Sequence, residues 1–146
     1  MVLSSCTDTD NTGDLYGSWK LTSIKEDGQI LSEPRNIYLG FQGEVFFVRY
    51  ADLENYTNSY SPGKFKESDG TLVMSFFIGG ESDRKKLKER LFIEGTTIEN
   101  GIEERFSLEK SKDAFTLSSG NKRWYFRRFL TNGSSSYHIK SAYLTK

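Results

Sequence analysis

The sequence predicts an all-β fold: an antiparallel, up-and-down β-barrel of about eight strands with one short α-helix near residues 82–94. Three observations lead there. Apolar and polar residues alternate with a period of two in one segment after another, the pattern of strands with one buried face. Short turns that pair Gly with Asn, Asp or Ser separate these segments at regular intervals. A single stretch, GESDRKKLKERLFIEG (80–95), breaks the alternation and spaces its leucines for a helix. A sandwich fits the same meander, but closure into a barrel leaves no exposed edge. Eight strands enclose an interior that side chains fill or that holds one small ligand.

The elements follow in order. In LYGSWKLTSIKEDGQI, Trp19 and Leu21 alternate with Lys20 and Thr22, and Asp27-Gly28 supplies a turn. NIYLGFQG puts Ile37, Leu39 and Phe41 on one face. Gln42-Gly43 then turns the chain into EVFFVRY, where Val45 and Phe47 oppose Phe46, Val48 and Tyr50. NYTNSYSPGKFKESDG is a weaker strand carrying Tyr56, Tyr60 and Phe65, expected to break near Pro62-Gly63 and to turn at Asp69-Gly70. In TLVMSFFIGG, Leu72, Met74, Phe76 and Ile78 alternate with Val73, Ser75 and Phe77, and both faces are expected to be covered. The helix follows, with Leu87 and Leu91 at i, i+4, Ser82 or Asp83 as cap and Gly95 as terminator. Its basic run is interleaved with Asp83, Glu89 and Glu94, which reads as a solvated face. Strands return with Phe106 and Leu108, then Phe115 and Leu117, then Trp124 and Phe126 opposed to Tyr125 and Phe129. Ser119-Gly120-Asn121 turns between the last two.

The chain of 146 residues divides into a polar N-terminal tether (1–13), one barrel domain (14–130) and a C-terminal extension (131–146). Its 20 basic and 20 acidic residues balance, which argues against a nucleic-acid partner. No apolar run approaches the roughly 18 residues of a membrane helix. One cysteine makes no internal disulfide, and one histidine beside it leaves no zinc set, so neither metal nor cofactor is expected. Catalysis is not expected either. His138, the sole histidine, lies in the C-terminal extension, and Glu103 and Glu104 fall on opposite faces of a strand. The barrel is expected to be a monomer.

Two features carry a resemblance. Gly17-x-Trp19 opens the first strand, and WYFRRF places Arg127 and Arg128 at the end of the last. This resembles the lipocalins, and in particular the compact lipocalin-like lipoproteins of Bacteroidetes envelopes, over about residues 14–130. The resemblance implies that an arginine packs across the Trp19 ring and closes one end of the barrel. Guanidinium over indole is a favourable cation–π stack. Arg127 and Arg128 face opposite ways, and the sequence leaves open which one meets Trp19. The chain lacks the disulfide cysteines of secreted animal lipocalins and is shorter.

The resemblance also implies a small hydrophobic or amphipathic ligand. The expected cavity lining is Tyr38, Phe46, Tyr50, Tyr60 and Met74, together with Phe76, Phe106, Phe115 and Tyr125. Apolar walls with a few hydroxyls are typical of such pockets. The competing reading is that these rings fill the barrel and that the protein is a structural or protein- or glycan-interaction module. Meeting of Phe76, Phe106, Phe115 and Trp124 without a void would favour the second.

Leu3-Ser4-Ser5-Cys6 looks like the lipobox of bacterial lipoproteins, with Cys6 the acylated residue in a natural precursor. A charged and apolar leader does not precede it here. The expected location is the cell envelope, as an outer-membrane lipoprotein whose only membrane contact is the lipid on Cys6. The chain as it stands is expected to be soluble.

Overall fold

The computed structural model describes residues 15–129. They form β1 (Gly17–Glu26), β2 (Gln29–Ser32), β3 (Ile37–Gln42), β4 (Val45–Asp52), β5 (Thr57–Ser68) and β6 (Thr71–Phe77). Helix α1 (Glu81–Lys86) then runs straight into a π-helical turn (Leu87–Leu91). β7 (Thr96–Ile98), β8 (Gly101–Lys110), β9 (Ala114–Ser119) and β10 (Lys122–Arg128) complete the chain. The tether, Cys6, His138 and the C-terminal extension lie outside the described residues.

Eight antiparallel strands close the barrel in the order β1-β3-β4-β5-β6-β8-β9-β10, and β10 pairs back onto β1. The two further strands are short additions. β2 takes over pairing with β1 where β3 leaves it, and β7 pairs the first residues of β8. Closure follows from the register of the seam: Trp19 stands opposite Arg128, Leu21 opposite Phe126 and Ile24 opposite Trp124. Leu21 and Ile24 are three residues apart, yet both are buried. The register slips between Leu21 and Ser23, a bulge that returns Ile24 to the inner face, and the Thr22 hydroxyl donates to Tyr125 O there.

The core is aromatic. Phe41, Phe46, Phe76, Phe106 and Phe115 are almost wholly buried. They meet edge to face: Phe41 with Phe65 at 4.8 Å, Phe46 with Phe76 at 4.9 Å, and Phe106 with Trp124 at 5.2 Å. Such pairs add about 0.5–1.5 kcal/mol each beyond area burial.

Five local expectations change. β5 does not break at Pro62-Gly63 but runs unbroken through them. Pro62 turns its ring outward, and Gly63 leaves room inside for the Phe46 ring and the Ser75 carbonyl. The first hairpin of the β3–β4 pair turns at Gly43-Glu44, one residue later than the composition suggests. The helical segment ends at Phe92, which takes the left-handed conformation itself instead of leaving it to Gly95. Asp83 does not cap the helix; its carboxylate accepts from the Gly79 N–H at 2.7 Å. Lastly, the outer face of β6 is not fully covered, because Phe77 is exposed.

Candidate functional site

One end of the barrel is shut by the Gly17-x-Trp19 strand. Trp19 is buried, donates its indole N–H to Leu15 O at 3.0 Å, and packs edge-on against Phe115 at 4.7 Å. The Arg128 guanidinium lies 3.9 Å from the centre of its ring and donates through Nη1 to Tyr16 O at 2.7 Å. The choice left open by the sequence therefore falls on Arg128. It is the cross-strand partner of Trp19, whereas Arg127 pairs with Lys20 and is exposed. Gly17 is required by the same contact. Its φ is 112°, and a Cβ there would stand 2.8 Å from Arg128 Nη1.

The interior is lined by the inner faces of all eight strands. Phe46, Tyr50, Met74, Phe76, Phe106 and Phe115 sit there as the sequence suggests. Tyr38, Tyr60 and Tyr125 do not. They alternate with inward residues and so stand on the outer wall: Arg49 lies 4.4 Å from the Tyr38 ring, Lys25 lies 5.3 Å from Tyr125, and the Tyr60 ring lies 6.5 Å from Phe47. Aromatic character suggested them as lining; strand parity overrules it. Sequence reading missed the aliphatic lining, Leu21, Ile37, Leu39, Val48 and Leu117, although the period-two pattern already put them inside. A void of about 20 Å³ remains at the centre, bounded by apolar residues that include Met74, Phe76, Phe106 and Trp124. That is room for a single water-sized sphere.

The helical segment covers the other end. Leu87, Leu91 and Ile93 insert into the core. The Trp124 indole N–H donates to Leu91 O at 2.7 Å, and Lys122 Nζ donates to Phe92 O at 3.1 Å. These bonds hold the π-helical turn and the left-handed Phe92 (φ 58°, ψ 36°) in place. Both are strained choices for a bulky residue and tend to mark functional segments. Beneath the helix, Tyr50 hydrogen-bonds Ser61 Oγ at 2.8 Å, with Lys86 Nζ and the Arg90 guanidinium each about 5 Å from its ring. Burial pushes the Tyr50 hydroxyl up to about 12.

Two open clefts flank this end. One, of about 560 Å³, lies where β8 and β9 part. Phe92, Lys122 and Trp124 meet there with Glu104, which turns inward and accepts from Ser119 Oγ. Glu103 turns outward and accepts from Ser75 Oγ at 3.4 Å, so the two carboxylates stay on opposite faces. The other cleft, of about 680 Å³, lies beside the β4–β5 turn, between Arg35, Arg90, Asp52 and Asn58. Hydrogen bonds from the Asn55 side chain, and from the Asn55 and Glu54 backbone, hold the Asp52 carboxyl below the usual range. Among the described residues no three His, Cys, Asp or Glu side chains converge as metal ligands would.

With this geometry in hand, the sequence profile of the lipocalin-like domain matches residues 1–129. The chain belongs to the lipocalin-like domain family. Its fold is similar to that of two crystal structures. A lipocalin-like protein from Bacteroides uniformis superposes with a TM-score of 0.63 at 19% identity, covering 80% of this chain and 100% of the other. An uncharacterized protein from Bacteroides eggerthii superposes with a TM-score of 0.59 at 18% identity and the same coverage. A search of curated proteins gave no match. A lipocalin-like barrel is an architecture that can bind ligands.

Proposed function

We propose that this protein is a non-enzymatic, outer-membrane lipoprotein of the cell envelope, anchored through Cys6 in its natural precursor, and that its barrel is an interaction module and not a carrier. The central void of about 20 Å³ carries the reading against a cargo. A ligand would have to displace Leu87, Leu91 and Ile93. Withdrawing three buried aliphatic side chains costs roughly 5–9 kcal/mol. At the lower figure only about one molecule in several thousand stands open, and apparent affinity falls by that factor. Recognition then belongs to the outer wall and the clefts, with a protein or glycan as partner. The envelope location is supported by the lipobox-like Leu3-Ser4-Ser5-Cys6 and by the polar spacer after it.

A second reading has its own observation. The π-helical turn and the strained Phe92 are features of a segment that moves, and a left-handed Phe gives back about 1–3 kcal/mol when released. On that reading the cargo is an amphiphile with a chain of roughly six or more methylenes, because each buried CH₂ returns only about 0.8 kcal/mol.

Native mass spectrometry of protein purified from its own host, with a fatty-acid and ANS binding panel, separates the two. The module reading expects bare protein and no binding. A co-purifying amphiphile would overturn it in favour of the lidded carrier. Labelled-palmitate incorporation into the full precursor, lost in Cys6→Ser, tests the anchor.

A further inference from the structure

The cleft beside the β4–β5 turn is used by neither the closed end nor the interior. Its volume of about 680 Å³ falls within the roughly 300–1,000 Å³ of small-molecule sites. Three segments build it: Arg35 and Asn36 of the β2–β3 connection, the β4–β5 hairpin, and Arg90 of the π-helical turn. The first two are tied together. Ala51 donates its N–H to Asn36 O at 2.9 Å, and the Asn36 side-chain amide donates back to Ala51 O. The turn itself is fixed by Asp52, whose carboxylate accepts from Glu54 N at 3.0 Å, Asn55 N at 3.1 Å and Asn55 Nδ2 at 2.8 Å. Tyr50, which also lines the cleft, is pinned by its hydrogen bond to Ser61 Oγ. A site held in shape in this way needs little ordering when a ligand arrives.

Positive charge gathers here with bonding capacity to spare. Lys86 and Arg90, four residues apart on the helical segment, stand over one ring: Lys86 Nζ is 5.1 Å and the Arg90 guanidinium 5.0 Å from the centre of Tyr50. Like charges at this spacing repel, and an anion beside them relieves the repulsion. Among the described residues, Arg35 and Arg90 form no ion pair. Asp52 shares the cleft but is held chiefly by the Asn55 side chain, and the Arg90 charge is the least of the influences that lower it. Glu54, the other acid of the lining, is exposed on the turn. A guanidinium fork suits a planar carboxylate, which accepts two parallel hydrogen bonds from it.

The wall is polar except for Ala51, Leu53 and the Tyr50 ring, so an alkyl chain finds little apolar surface. Asn58 and Ser59 offer an amide and a hydroxyl, groups that donate and accept as sugar hydroxyls do. Arg49 Nη1 donates to Asn58 Oδ1 at 3.3 Å, which commits that oxygen and leaves Nδ2 to donate.

We propose that this cleft binds an acidic sugar of the uronate type, its carboxylate held by Arg35 and Arg90 and its ring hydroxyls met by Asn58 and Ser59. On the reading of the barrel as an interaction module, on which this site rests, the uronate is the group by which a glycan partner is recognised.

Galacturonate titrated into the isotope-labelled full chain, followed by NMR amide shifts, provides the test. Ala51, Asn58 and Arg90 are expected to move while Thr116 of β9 stays. Galactose, with an alcohol in place of the carboxylate, should move none of them. Arg35→Gln, at an exposed side chain, and Arg90→Gln should each weaken binding about tenfold or more. Lys85→Gln, exposed on the same helical segment and outside the cleft, should leave it unchanged. No shift at the three cleft amides with millimolar galacturonate, equal binding of galactose, or full affinity in both arginine variants overturns the proposal. Laurate separates the two sources of a carboxylate. If galacturonate fails and laurate moves neither the cleft amides nor the inward Phe76 and Phe106, the sugar site is overturned and the module reading stands. Laurate that moves Phe76 and Phe106 and expels galacturonate makes the cleft the mouth of a carrier and overturns both.

Discussion

The Arg128 guanidinium lies across the β1–β10 seam, 3.9 Å from the centre of the Trp19 ring. One of its faces covers the indole and its Nη1–H is committed to Tyr16 O. Arg128→Ala is expected to cost about 1–2 kcal/mol, from the lost stack and a charge-assisted hydrogen bond. Arg127→Ala, on the exposed side, should stay within about 0.5 kcal/mol. Urea unfolding of the two variants compares them, and equal losses would contradict the assignment.

Gly17 and Arg128 should be coupled. Gly17→Ala adds a methyl 2.8 Å from Arg128 Nη1 at a φ of 112°. Its cost has two parts, backbone strain of about 1 kcal/mol or more and the clash. Only the clash disappears when Arg128 is already Ala. A double-mutant cycle is expected to give a coupling of about 0.5–3 kcal/mol, in the sense that the second change hurts less.

Tyr50 sets an alkaline limit. Its hydroxyl is raised from 10.0 to about 12, chiefly by burial, with the Ser61 hydrogen bond acting in the opposite direction. The folded state therefore holds the proton more tightly than the unfolded chain. The stability this contributes is complete below about pH 10 and is lost as pH rises from 10 toward 12. The loss is about 2–3 kcal/mol at full ionisation. Tyr50→Phe should flatten that decline and cost about 1 kcal/mol at neutral pH, because Ser61 loses its partner. Urea midpoints of the two proteins from pH 8 to 12 give the comparison.

Gly63 is a packing position inside an unbroken strand. A Cβ there would stand 2.1 Å from Ser75 O and 2.6 Å from the Phe46 ring. The carbonyl belongs to the neighbouring strand and moves only with the backbone. Gly63→Ala is expected to cost about 1–3 kcal/mol or more, whereas Gly43→Ala, with open space around it, should show only the strain of its positive φ.

Leu91 tests how tightly the lid fills the interior. Leu91→Ala should cost about 2–5 kcal/mol and enlarge a dry, apolar void. Benzene is then expected to enter and to shift the amide resonances of Phe106 and Trp124. No shift, with stability nearly unchanged, would mean that the lid does not pack as described.

Much of the barrel was legible because a strand's period is two and a buried face must be apolar. Ile37, Leu39, Phe41, Phe46, Val48, Leu72, Met74 and Phe76 all point where alternation puts them. Leu87 and Leu91, spaced for one helical face, are both buried. The errors have physical causes as well. Pro62-Gly63 reads as a break because proline lacks a donor and glycine lacks a side chain. Here both absences suit a strand with an exposed outer face and a crowded inner one. The chemistry of Tyr38, Tyr60 and Tyr125 suits an inward position, but their parity points outward, and parity prevails.

By itself, the sequence determined the strand alternation, the turns, the Gly17-x-Trp19 opening and the pair of arginines that follows Trp124. These are local properties, set by side-chain period and backbone freedom. Only the tertiary structure decided that Arg128 and not Arg127 covers Trp19, that the bulge after Leu21 turns Ile24 inward, and that the helical segment plugs the barrel down to a void of about 20 Å³. Each of these depends on the register between strands distant in the chain and on summed side-chain volume. Both are fixed only when the barrel closes.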